Sequence, residues 1–123
     1  MLLDTNILIY AAHPSHAALR TFLETKEDEL CVSAISKVET LGYPKLTFAE
    51  KRLLQAFFEQ ILVLPVSDEV IDKAIVLKQM RKMSLGDALI AATALVHKQS
   101  LLTHNVSDFD KITGLTVISM DSI

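Results

Sequence analysis

The 123-residue chain has no tryptophan, one cysteine, three glycines and three prolines. A lone cysteine, Cys31, excludes a disulfide framework and a thiolate zinc site, and in its apolar run it reads as a small buried hydrophobe. The glycines and prolines are scattered, so no linker divides the chain, which reads as one domain spanning residues 1–123. No apolar run reaches the roughly 20 residues of a membrane span; Ala88 to Val96 is the longest. No basic segment precedes an apolar stretch at the N-terminus, so no secretory signal is expected, the expected compartment is the cytoplasm, and no membrane partner is implied. Positive charge is not in excess either. With a net charge of −3 the chain lacks the broad basic footprint of proteins held to nucleic acid by phosphates. Affinity for phosphate must come from a local patch or from bound cations.

What is present is a core-forming composition, half hydrophobic and 22% charged, which excludes disorder. Apolar periodicity predicts helices over Thr5–Ala12, Ser15–Lys26 and Ser36–Leu41. A fourth carries Leu53, Leu54, Phe57, Phe58 and Ile61 behind a Thr47 cap, with Phe57, Phe58 and Ile61 read as core or dimer interface rather than a base-stacking platform. A fifth opens at Ser67 with Val70, Ile71, Ala74 and Ile75 as its stripe, and Leu85–His97 is apolar nearly all round and so central. Short strands are expected at Leu2-Leu3, Leu30–Ala34, Leu62–Val66, Leu101–Thr103 and Thr116–Ser119. Such alternation predicts an α/β three-layer sandwich, a central parallel sheet of about four to five strands with helices on both faces. Ligands of open parallel sheets bind beyond the carboxyl ends of the strands.

Four acidic residues fall at that edge: Asp4 after the first strand, Glu39 after the second, Asp87 opening the apolar helix and Asp108 beyond the fourth strand. Each alone has a capping explanation. Asp4 suits an N-cap, Ser36-x-x-Glu39 and Ser84-x-x-Asp87 resemble capping boxes, and Asp108 could cap a turn over Phe109–Ile112. Capping does not explain why acids follow three strands and open the most apolar helix. Two carboxylates about 5 Å apart repel by roughly 3 kcal/mol at an effective dielectric of ~20. Several converging ones must take up protons or bind a cation. Oxygen donors without cysteine favour a hard ion, Mg²⁺ or Mn²⁺, and ions so held suit phosphodiester hydrolysis.

Leu2-Leu3-Asp4-Thr5-Asn6-Ile7-Leu8, Glu39, Gly86-Asp87-Ala88-Leu89-Ile90-Ala91-Ala92 and Leu102-Thr103-His104-Asn105-Val106-Ser107-Asp108-Phe109, in this order, resemble the PIN-domain nucleases, and most of all the VapC-type toxins of bacterial toxin–antitoxin pairs. The resemblance runs from Leu2 to about Ile118. It implies a Mg²⁺- or Mn²⁺-dependent ribonuclease, usually a homodimer, with an RNA substrate and a cognate antitoxin. Asp4, Glu39 and Asp87 match the family's metal-binding acids. Many members carry an acid where this chain has Asn105, and Asp108 matches a further acid three residues on. Asp108 is therefore assigned as the charged ligand and Asn105 as an orienting or water-mediated one. Thr5, Asn6 and Thr103 fall where the family keeps small polar side chains.

His104, beside the site, could contact substrate, and Lys37, Lys45, Arg81 and Lys82 could supply phosphate attraction. An aspartyl-phosphate phosphotransferase would want a second aspartate where Asn6 stands. The alternative of another class is a non-catalytic module that keeps the fold for dimerisation and binding, and neutral Asn105 favours it.

Overall fold

The computed structural model describes residues 1–123. Strands β1 (Leu2–Leu3), β2 (Cys31–Ser33), β3 (Leu62–Leu64), β4 (Leu101–Thr103) and β5 (Val117–Ser119) form one sheet in the order β3-β2-β1-β4-β5, every pairing parallel. Helices α1 (Thr5–Ala12), α2 (Ala17–Thr25), α3 (Ala34–Leu41), α4 (Phe48–Gln60), α5 (Asp68–Met80) and α6 (Leu85–Val96) connect them. None is long and apolar enough to cross a membrane.

Successive strand side chains point to opposite faces, and this sorts the core into halves. Leu2, Cys31 and Leu101 pack with Val70, Ala74 and Leu77 of α5 and the alanine-rich stretch of α6. Leu3, Val32 and Leu102 pack with Ile7 and Leu8 of α1, Leu19 and Leu23 of α2, and Leu54 and Phe58 of α4. Both faces of the sheet are covered, as strands apolar on both sides require, and the three-layer α/β sandwich expected from the alternation is the one observed.

The chain steps outward from β1 to β2 to β3, then returns through α5 and α6 to lay down β4 and β5 on the other side of β1. β1 and β4 therefore flank the topological switch point, where a crevice opens beyond their carboxyl ends. Their register pairs Leu3 with Leu102, which makes Asp4 and Thr103 neighbours at its floor.

Several boundaries depart from expectation. Pro14–His16 form a 3₁₀ turn ahead of α2, where the Ser15 amide donates to His13 Nδ1, so the helix does not begin at Ser15. Ser33 rather than Ser36 caps α3, accepting from the Ile35 amide; the helix starts two residues earlier, and Ser36 and Glu39 form no capping box. On α5, Ile71 and Ile75 lie outside the buried stripe, 41% and 52% exposed, while Leu77 takes part in it. The turn at Asp108 spans Val106–Asp108, and Phe109, instead of starting another, is drawn fully into the core. α6 is buried from Ala88 to Ala94, its first residue Leu85 being exposed and its last two partly so. Phe58 is core, with Phe57 and Ile61 packed against it.

Phe109 anchors the segment that carries Asn105 and Asp108. Phe109→Ala should cost about 3–5 kcal/mol, as cavities left by aromatic side chains do. Denaturant unfolding measures it, and a loss under about 1 kcal/mol would mean the segment is held by something else.

Candidate active site

The Asp4 carboxylate lies at the floor of the crevice, 5% exposed. Its Oδ1 accepts the Thr5 amide at 2.8 Å, and its Oδ2 accepts the Thr103 hydroxyl at 2.8 Å. The Asn105 amide in turn donates to Thr103 Oγ1 at 3.0 Å, so one hydroxyl ties the loop after β4 to the acid after β1. Burial nonetheless pushes the Asp4 carboxyl up to about 6, with repulsion from Asp87 and Glu39 adding to it and the bonds from Thr103 and Thr5 opposing.

Thr5 reaches a second acid. Its hydroxyl donates to Glu39 Oε1 at 2.6 Å and lies 3.0 Å from Ser36 Oγ. A threonine has one hydroxyl proton, and the carboxylate takes it, so Ser36 is the donor to Thr5. Glu39 Oε2 overhangs Gly86: a Cβ built there would stand 2.5 Å from it. Gly86 is required by that approach and not by its backbone angles, since its φ is not positive. The next residue, Asp87, donates its amide to Ser84 Oγ at 3.1 Å. Its carboxyl is also raised, first by burial, then by repulsion from Asp108 and Glu39, with the Ser84 hydroxyl opposing. Asp4, Glu39 and Asp87 thus act on one another, while Asp108, exposed on its turn, is felt through Asp87.

The remaining candidates divide. Asn6 is half-buried in the first turn of α1. His104 is exposed, with Nδ1 3.9 Å from Asp121. Arg81 is not available as a phosphate contact: its guanidinium donates to the backbone carbonyls of Asp110 at 2.6 Å and Asp108 at 3.3 Å, so it braces the Asp108 turn. The Lys37 ammonium sits 5.9 Å from the Phe58 ring centroid, leaving Lys45 and Lys82 as the exposed remainder of the expected basic set. Two contributors were not identified from sequence, Ser36 and Gly86. Ser36 carried a signal, lying one helical turn before Glu39 on the same face; Gly86 carried only its place beside Asp87.

As they stand, no three His, Cys, Asp or Glu side chains are close enough to cage an ion. The donor set still fits a hard divalent cation: its atoms are carboxylate oxygens, and an acid pushed toward neutrality by burial, with repulsion from Asp87 and Glu39 adding to it, is an arrangement short of positive charge. Asp4, Glu39 and Asp87 could hold such an ion, with Asp108 approaching from the side of Asp87.

This fold, with acids at the carboxyl edge of its sheet, has known counterparts. The chain matches the PIN domain over residues 1–115 and belongs to that family. Two relatives in it are VapC proteins. One, Ribonuclease VapC1 of Rickettsia felis, is 34% identical across 99% of this chain and 97% of its own length. The other, the tRNA(fMet)-specific endonuclease VapC of Shigella flexneri, is 25% identical across 93% of this chain and 92% of its own. Among solved structures, a toxin–antitoxin complex from Klebsiella pneumoniae has a chain 30% identical, with a TM-score of 0.79 over 96% of this chain and 95% of that one. VapBC2 from Rickettsia felis, bound to a promoter DNA fragment, gives 0.81 over 98% of each chain at 21% identity, a likeness of fold alone.

Gly86→Ala should leave stability within about 1 kcal/mol of the parent, since alanine favours the helix. It should also displace Glu39 and weaken Mn²⁺ binding by about 10- to 100-fold in calorimetry. Unchanged affinity would remove Glu39 from the site. A second outcome concerns pH. Asp4 binds its proton more tightly folded, at about 6 against 3.8, so without metal its contribution to stability falls as pH rises from ~4 to ~7, by at most about 3 kcal/mol. Asp4→Asn should therefore raise the unfolding midpoint at pH 7.5 in chelator and change it little at pH 4. A midpoint lowered at pH 7.5 would contradict a strained carboxylate.

Proposed function

We propose that this chain is a divalent-metal-dependent endoribonuclease, the toxin of a toxin–antitoxin pair, with Asp4, Glu39, Asp87 and Asp108 holding Mg²⁺ or Mn²⁺. The observation that carries this reading is the buried Asp4 carboxylate, both oxygens held by Thr5 and Thr103, beside Glu39, which takes the Thr5 hydroxyl. A bound cation supplies an activated water and stabilises charge developing on the phosphate. The chain's own residues supply the frame. Thr5 and Thr103 fix both oxygens of Asp4, Thr5 and Ser36 orient Glu39, and Ser84 starts the helix that presents Asp87. Helices α1, α3 and α6 begin near this edge, and their amino ends favour a phosphate there. In this reading Asn105, Asn6 and Thr103 orient these groups, exposed His104 and Lys82 would meet the RNA, and Lys37 would do so only by leaving the Phe58 ring.

The relatives named above, one a ribonuclease, one a tRNA endonuclease and one a toxin–antitoxin complex, support an RNA substrate and an antitoxin partner. An apolar cavity of about 310 Å³ between α1, α2 and α4, lined by Leu8, Leu23, Leu54 and Phe57, would suit an amphipathic segment of that partner. Exposed Ile71, Ile75, Val76 and Met80 on α5 favour a homodimer, whose second copy would cover them. The compartment we assign is the cytoplasm. A non-catalytic binding module is the second reading, favoured by neutral Asn105 and by carboxylates that stand apart.

Purified protein should cut RNA with Mg²⁺ or Mn²⁺ and stop in EDTA. Asp87→Asn should lower the rate by roughly a hundredfold or more, about 3 kcal/mol of barrier, with the fold kept by circular dichroism. No cleavage with either ion would leave the module reading in its place, and cleavage that survives both EDTA and this substitution would overturn the metal site assigned here.

A further inference from the structure

Beside the acidic crevice lies a group of rings that the carboxylate chemistry leaves unused. The Tyr10 ring, on α1, stands 5.1 Å from His16 of the 3₁₀ turn and 5.5 Å from His104 beyond β4, centroid to centroid. His16 lies 6.2 Å from His13. Two of the chain's four histidines therefore flank one tyrosine, and a third adjoins His16. His104 directly follows Thr103, whose hydroxyl holds Asp4, so the row starts at the crevice and leads away along α1. His13 is engaged in its turn through Ser15, but Tyr10 and His16 are only half-buried and His104 is exposed.

Partly open rings drawn from three separate segments and propped against one another suit flat π-surfaces. Unpaired nucleobases are such surfaces, and tyrosine and histidine stack on them. The tilts of 40° and 88° between Tyr10 and its two neighbours do not fit a regular helical stack. They suit bases splayed from one another, as in loops. Charge points the same way. The chain is acidic overall, Arg81 is occupied by carbonyls and Lys37 leans on Phe58, so of the expected basic set only Lys45 and Lys82 are left for phosphate contacts on a strand.

We propose that Tyr10, His16 and His104 form a stacking surface for unpaired bases of single-stranded RNA flanking the bond to be cut, an assignment that rests on the ribonuclease reading above. It is tested with a short fluorescein-labelled single-stranded RNA and a matched strand whose bases are replaced by abasic residues. Binding is measured in Mn²⁺ on the Asp87→Asn background so that the strand stays whole. His16→Ala, His104→Ala and Tyr10→Leu should each raise Kd for the intact strand about tenfold, the equivalent of one lost stack. Binding of the abasic strand and of Mn²⁺ should not change. The chain has two tyrosines and no tryptophan, so Tyr43→Phe leaves Tyr10 as the sole tyrosine emitter. Its emission should be quenched by the intact strand and not by the abasic one. Equal affinity for both strands, or Tyr10 emission indifferent to the intact strand, overturns the stacking surface. Parent protein that binds RNA through these rings but fails to cut it with Mn²⁺ overturns the ribonuclease reading instead.

Discussion

Burying the Asp4 carboxylate between the ends of β1 and β4 takes an ionisable group out of water, a step that costs several kcal/mol unless it is compensated. Two donors, the Thr5 amide and the Thr103 hydroxyl, compensate part of it. They do not finish the work, because burial and the charges of Asp87 and Glu39 still raise the carboxyl to about 6. Much else follows from this placement. The sheet order sends the chain from β1 and from β4 to opposite sides there, the caps of α1 and α6 put acids at the same edge, and Phe109 pins the loop beyond β4. An arrangement built only for stability would place an uncharged residue at position 4.

The neighbours of the acids are small, and each has a separate task. Thr5 serves two carboxylates at once, its amide holding Asp4 and its hydroxyl holding Glu39. Ser36, fully buried, supplies the proton that leaves the Thr5 hydroxyl free to face Glu39. Gly86 gives Glu39 the room to reach toward the first turn of α6. Larger residues at these positions would crowd a buried site and separate the carboxylates further. Precision here comes from side chains too short to have alternative places to go.

Strand positions and the central helix were legible because apolar runs and their flanking caps announce them. β4 and α1 fall where periodicity puts them, and the acids were visible because each follows a strand or opens a helix. Apart from the start of α2, which a local turn at His13–Ser15 displaces, the departures have one origin: long-range contact overrides local pattern. Ser36-x-x-Glu39 has capping-box spacing, but Ser33 is the cap, because the backbone turns as soon as β2 ends and Ser36 is drawn inward to Thr5. Ile71 and Ile75 have helical spacing, but the sheet accepts the face of Val70, Ala74 and Leu77. Arg81 is a candidate for phosphate attraction by its sequence, and what employs it is a pair of carbonyls 27 and 29 residues away. No window of sequence contains that information.

An acidic protein with acids at its centre repels the polyanion that the ribonuclease reading gives it as substrate. With a net charge of −3, phosphate attraction is not a general property of this surface. On that reading a divalent cation must do double duty, lowering the repulsion among the carboxylates and offering the strand a positive centre. Binding of cation and of RNA would then be coupled, and by linkage each would strengthen the other by the same factor. Such coupling fixes where a strand can settle, since affinity would be concentrated at one point of the crevice rather than spread over a basic face. Contacts that add hold without charge, such as those of open rings beside that point, are the kind this surface has left to give.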